Sequence, residues 1–203
     1  MLNPRFLAYF ADLGDIAVIG PASIVTFAML LLYRRRHEAL VWALAFLACA
    51  AVTLVLKTFV GGFEINVFDQ NIQAGSFPSG HASITFVFYD GLAALLWCGS
   101  RSALPRALAA AFVLLQSMIA ISVFLLAWHP LIDMVAGLLL GVVCLGAAYW
   151  RVPPKPATLG ELTGLAVAVT AVVLTLHGDR LDDKKLVDRL LNWAPVESRF
   201  PAG

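Results

Sequence analysis

Apolar residues in this chain run in long unbroken blocks, without the two-residue alternation of a half-buried strand. Six blocks stand out, at 16–33, 39–60, 82–100, 107–127, 131–150 and 159–176. Each is close to the ~20 residues that an α-helix needs to cross the hydrocarbon of a bilayer. The predicted fold class is therefore all-α, a polytopic membrane bundle of about six transmembrane helices. Gly20-Pro21 offers a kink early in the first helix, which neighbouring helices in a bundle can tolerate. Pro153-Pro154-Lys155-Pro156 reads as a stiff linker before the sixth.

Beyond Gly178 the pattern changes. Leu186, Val187, Leu190, Leu191 and Ala194 share one helical face, and Lys184, Lys185, Asp188 and Arg189 fall mainly on the other, with Pro195 ending the segment. That spacing predicts a short amphipathic C-terminal helix lying on the membrane surface. The chain thus divides into a transmembrane domain, 1–178, and an extracytoplasmic amphipathic tail, 179–203.

Composition agrees with a membrane protein. Of 203 residues, 61% are hydrophobic and only 13% charged, whereas soluble domains are nearer half apolar and a quarter charged. A net charge of +1 gives no reason to expect a nucleic acid partner. Charge position says more than charge total. Arg34, Arg35, Arg36, Arg101, Arg106, Arg151 and Lys155 all follow odd-numbered helices, while the stretch 61–77 has no Lys or Arg. Short cytoplasmic loops carry the basic excess. Both termini, the stretch 61–81 and His129 are thus expected on the extracytoplasmic side of a multi-pass protein of the cell (inner) membrane. Met1-Leu2-Asn3-Pro4-Arg5 lacks the pattern of a cleaved signal peptide, so the first helix is expected to act as the insertion signal. Cys49, Cys98 and Cys144 have no metal-ligand spacing and read as core filler.

Two polar fragments interrupt this apolar background at helix starts. In His129-Pro130-Leu131-Ile132-Asp133, Pro130 suits the beginning of a helix, and four-residue spacing brings His129 and Asp133 onto one face. A carboxylate there can fix the imidazole tautomer and leave the other ring nitrogen as a nucleophile. The alternative is a histidine that merely caps the helix, with Asp133 as its polar partner. In Pro78-Ser79-Gly80-His81, glycine lets a ligand approach the backbone, Ser79 can donate its hydroxyl, and first-turn amides favour an anion. His81 could then protonate a leaving alkoxide. The competing reading is an ordinary helix cap with an interfacial histidine. Lys57, near the outer end of the second helix, either snorkels to the interface or supplies a point charge to phosphate. Asp90, deep in the third helix, is expected to hydrogen-bond Gln116 or Ser117 of the fourth.

Together these residues resemble the membrane branch of the type 2 phosphatidic acid phosphatase superfamily, relatives of bacterial acid phosphatases and vanadium-dependent haloperoxidases. That family's pattern is Lys-x6-Arg-Pro, then Pro-Ser-Gly-His, then Ser-Arg-x5-His-x3-Asp. Lys57 matches the first lysine, Pro78-Ser79-Gly80-His81 the second motif in full, and Ser122, His129 and Asp133 the third at the same spacing. The resemblance implies that His129 forms a phosphohistidine, Asp133 orients it and His81 protonates the leaving group. It further implies that Lys57, Ser79, Gly80 and Ser122 bind phosphate, with no metal or cofactor. The substrate it implies is a membrane lipid such as phosphatidate or a polyprenyl diphosphate.

Two positions depart from the pattern. Glu64-Ile65 stands where the family has Arg-Pro, and Val123 where the third motif has arginine. Bidentate arginine is the strongest side-chain partner of a phosphoryl group. Three readings follow. The first, which the phosphatase form of Pro-Ser-Gly-His favours, is a lipid phosphatase in which Arg180, Lys184, Lys185 or Arg199 of the tail replaces the lost charge. The second is a headgroup phosphotransferase acting on a singly charged phosphodiester. The third is a non-catalytic lipid-binding protein.

Overall fold

The structure is a computed structural model, and it describes residues 3–61, 66–67, 70–71, 77–150 and 154–178. The tail 179–203 and Glu64 lie outside the described residues, and with them the predicted amphipathic helix and the four candidate replacement cations.

Eight α-helices form the described bundle: α1 (Pro4–Asp12), α2 (Ile16–Leu32), α3 (Arg36–Gly61), α4 (Gly80–Thr85), α5 (Gly91–Gly99), α6 (Ala103–Leu125), α7 (Leu131–Trp150) and α8 (Leu159–Leu176). A π-helical turn, Phe86–Asp90, joins α4 to α5, so these three make one continuous span. Six segments are long and apolar enough to cross a membrane, and they coincide with the six blocks read from the sequence. The bundle is all-α except for a two-residue antiparallel ladder, Asn66–Val67 with Gln70–Asn71.

Helix α1 is an addition to what the apolar blocks predict. Asn3 caps it by accepting the Arg5 N–H at 2.9 Å, and Pro4 occupies its first turn, a pairing of cap and proline that marks a helix start. It packs along α6. Pro21 lies inside α2, which continues unbroken past it to Leu32.

The span from Gly80 to Gly99 is the centre of the bundle. About two-thirds of it is buried (67%), against 22–39% for the other five spans. Large apolar side chains on the outer helices, such as Ile24, Leu139 and Val143, point outward where lipid would lie. On the central helix, Val87, Phe88, Tyr89, Leu92, Leu95 and Leu96 are all buried. The Tyr89 hydroxyl donates to the Leu13 carbonyl at 2.9 Å, satisfying a polar group that apolar surroundings would otherwise penalise. Asp90 does not find the partners expected for it. The Ser117 hydroxyl bonds back to Val113 in its own helix, and Asp90 Oδ2 and Gln116 Oε1 are buried without a hydrogen bond among the described residues. Asp90 is the last residue of the π-helical turn, which holds more residues per turn than an α turn.

Two helix ends are closed by the same backbone device. After α2, Arg34 takes φ of 58°, and the amides of Arg34 and Arg35 donate to Leu31 and Leu30. After α6, Ala127 takes φ of 54°, and the amides of Ala127 and Trp128 donate to Phe124 and Val123. This is the Schellman pattern, made here without the glycine that usually occupies the left-handed position.

Candidate active site

Residues His129 and Asp133 owe their placement to the second of those caps. It ends α6 sharply, and the chain passes through Trp128, His129 and Pro130 before α7 begins at Leu131. Pro130 precedes the helix and gives its carbonyl to the Asp133 and Met134 amides at 3.1 and 3.3 Å. The helix therefore starts just after His129, and the four-residue alignment survives. His129 Nδ1 lies 3.4 Å from Asp133 Oδ2. Asp133 is wholly buried, and the His129 side chain is 12% exposed. With Nδ1 turned to the carboxylate, Nε2 is the ring nitrogen left for chemistry. The contact is long for a charge-assisted hydrogen bond, as such contacts often are before substrate is bound.

Ser79 caps α4, accepting the Ala82 N–H at 3.3 Å. Its own amide donates to the Asp133 carbonyl at 3.0 Å. One backbone hydrogen bond thus joins the two polar fragments directly. Ser79 can offer an anion its hydroxyl proton, because its amide is committed within the fold. His81 follows in the first turn, with its ring centroid 6.3 Å from that of His129. Trp128 meets His81 edge to face at 5.9 Å. In the sequence Trp128 reads only as part of a turn, and nothing in its local pattern distinguishes it from an interfacial aromatic.

Lys57 reaches the same level by register. Thr53 of α3 and Ser83 of α4 are hydrogen-bonded at 3.0 Å, both buried. The two helices run in opposite directions here, so one turn beyond Thr53 is Lys57 and one turn before Ser83 is Ser79. Lys57 is only 5% exposed, so it is not a lysine reaching out to the interface. Ser122 is wholly buried in the last turns of α6, and its Oγ has no hydrogen-bond partner among the described residues. Asp133 Oδ1 is likewise buried and unpartnered.

Val123 occupies the position of the family's second arginine. It is wholly buried within the main apolar cluster, among residues such as Ile119 and Met134.

All of these residues gather at one end of the bundle, and the basic loops lie at the other. Arg35 binds Glu38 at 2.9 Å and the Lys155 carbonyl at 2.5 Å. The Ala157 amide donates to the Gly99 carbonyl at 2.7 Å. Glu161 completes a capping box with Thr158 at the start of α8, and His177, at its other end, contacts the Tyr9 carbonyl at 3.2 Å.

A half-buried histidine paired with a buried carboxylate, with a second histidine ring 6.3 Å from the first, is an arrangement chemically capable of phosphoryl transfer. Residues 58–156 match the model of the PAP2 superfamily. The matched region contains Pro78-Ser79-Gly80-His81, Ser122, His129 and Asp133, and it begins immediately after Lys57. No curated protein and no solved structure matches the chain.

Proposed function

We propose that this protein is an integral-membrane lipid phosphatase, acting on a lipid phosphate or diphosphate at the extracytoplasmic face through a phosphohistidine on His129. The observation that carries the reading is the His129–Asp133 contact at 3.4 Å with the His81 ring 6.3 Å from that of His129. His129 Nε2 attacks phosphorus and the bond to the lipid oxygen breaks, while His81 gives that oxygen a proton. Asp133 holds the Nδ1–H and stabilises the positive charge that develops on the ring. Water then attacks the phosphohistidine with His81 as base, releasing phosphate and restoring both histidines. Lys57, Ser79, Gly80 and Ser122 hold the phosphoryl oxygens. The outward orientation rests on the basic loops lying at the end opposite the site.

Val123 favours a second reading. An apolar residue where arginine would clamp phosphate suits a phosphodiester, whose single negative charge needs fewer cations than a dianion. A headgroup phosphotransferase would use the same His129, Asp133 and His81.

Purified protein assayed on phosphatidate, a polyprenyl diphosphate and a phospholipid diester separates the two. Phosphate release from the first pair is expected; headgroup transfer from the diester alone would replace the phosphatase reading with the transferase one. Acid-labile label retained on the chain after quenching, and absent from His129→Ala, is expected in either case. Its absence from the active parent would overturn the phosphohistidine mechanism. Truncation after Gly178 tests the tail as the source of the missing cations, and is expected to reduce phosphate release.

A further inference from the structure

The two halves of the site come from different spans, and their separation is set by backbone lying against backbone. Along α7, Asp133, Gly137, Gly141 and Leu145 recur at four-residue intervals as one buried stripe. The Asp133 carbonyl accepts the Ser79 amide at 3.0 Å. One turn on, a methyl added to Gly137 would lie 2.5 Å from the Ser79 carbonyl oxygen, 3.0 Å from Ala82 Cβ and 3.3 Å from the Ser83 amide nitrogen. Two of those three obstacles are main-chain atoms, so no rotamer change can relieve them. On the far side of α4, Ser83 is tied to Thr53 of α3 at 3.0 Å. The first turn of α4 is therefore held between α7 and α3 and cannot slide away from a larger residue at position 137 without breaking a buried hydrogen bond.

We infer that Gly137 is a positioning residue: by admitting the Ser79 carbonyl against its Cα, it fixes the distance between the phosphate-holding turn at Ser79-Gly80-His81 and the nucleophile and its orienter, His129 and Asp133. The inference rests on the reading of His81 and His129 as the reacting pair. Asp133 Oδ1 and Ser122 Oγ are buried without partners among the described residues, so no bond to those residues from either atom compensates for a shift of the backbone. An error of about 1 Å in such a site can cost roughly 10²-fold in rate. A methyl added to Gly146, on the same helix, would meet nothing within 4 Å, which makes Gly146→Ala the matched control.

Two measurements on the full chain test this. In a chain carrying Cys49→Ala, Cys98→Ala and Cys144→Ala, the paired changes His81→Cys and His129→Cys report the separation through a short bifunctional maleimide, with no need for turnover. Cross-linking is expected to fall severalfold on adding Gly137→Ala and to stay unchanged on adding Gly146→Ala. Unchanged cross-linking with Gly137→Ala overturns the proposal. In the otherwise native chain, Gly137→Ala is expected to lower kcat by about 10²-fold while KM moves little. An equal loss from Gly146→Ala would show a general packing defect and overturn it. If the Gly137→Ala chain does not accumulate, Ser83→Ala loosens the opposite side of the same turn without adding volume. It should lower both cross-linking and kcat, and unaltered values overturn the proposal. A parent chain that cross-links as expected but turns over no lipid phosphate or diester would refute the proposed function and leave the spacing role of Gly137 standing.

Discussion

At the basic end of the bundle, Glu38 Oε1 accepts from Arg35 at 2.9 Å and from the Lys155 amide at 3.3 Å, and Arg35 also donates to the Lys155 carbonyl. At the opposite end, Asp133 makes one long contact to His129, and its second oxygen and the Ser122 hydroxyl are buried without partners among the described residues. Both ends remove charge from solvent, but only the first returns full hydrogen bonding. Buried polar atoms without partners cost about 1–3 kcal/mol each, and structures that keep them tend to use them. The basic end holds α2, α3 and the segment before α8 together, and the candidate site keeps buried polar atoms without partners among the described residues. The proposed function would place stability and chemistry at opposite ends of the same helices.

That contrast can be broken from either side. The largest expected effect is that of His129→Ala, which should lower phosphate release by about 10⁴-fold or more, the scale seen when a nucleophile is removed, without unfolding the bundle. Substantial activity in that variant would remove the site from the comparison altogether. Next is Asp133→Asn, expected to cost about 10³-fold in kcat by presenting the wrong partner to Nδ1. Its thermal midpoint should stay level or rise, because an amide is less costly to bury than a carboxylate. A falling midpoint with activity retained would mean that Asp133 belongs with Glu38, as a structural group. Glu38→Ala should do the reverse of Asp133→Asn. Leaving Arg35 without its carboxylate is expected to destabilise by about 2 kcal/mol, with turnover on the best substrate unchanged. The smallest effect is predicted for Ala127→Gly, which relieves a left-handed alanine and should stabilise by about 1 kcal/mol. A loss of activity there would show that the strained cap positions His129 and does more than end α6.

Much of this molecule was legible in the chain. The six spans follow from blocks of apolar residues about 20 long, because a bilayer tolerates no other way of satisfying so long an apolar backbone. The heart of the site was legible as well: His129 and Asp133 meet because four residues make about one helical turn, which is local geometry. The short helix α1 was missed because its apolar content is modest, although Asn3-Pro4 announced its start. The partner of Asp90 was not legible, because depth in the membrane does not say which way a side chain on the neighbouring helix turns, and the Ser117 hydroxyl bonds back to its own helix.

The sequence by itself determined the six apolar spans, the separation of basic loops from polar fragments and the pairing of His129 with Asp133. Each depends on interactions between residues a few positions apart or on contact with the bilayer. Only the tertiary structure decided that the Ser79 amide bonds the Asp133 carbonyl, that Lys57 is buried at the level of Ser79, and that the position of the family's second arginine opens onto apolar core at Val123. Those facts rest on how closely α4 approaches α3 and α7, and glycine at position 137 states that distance only when the carbonyl it must admit is known.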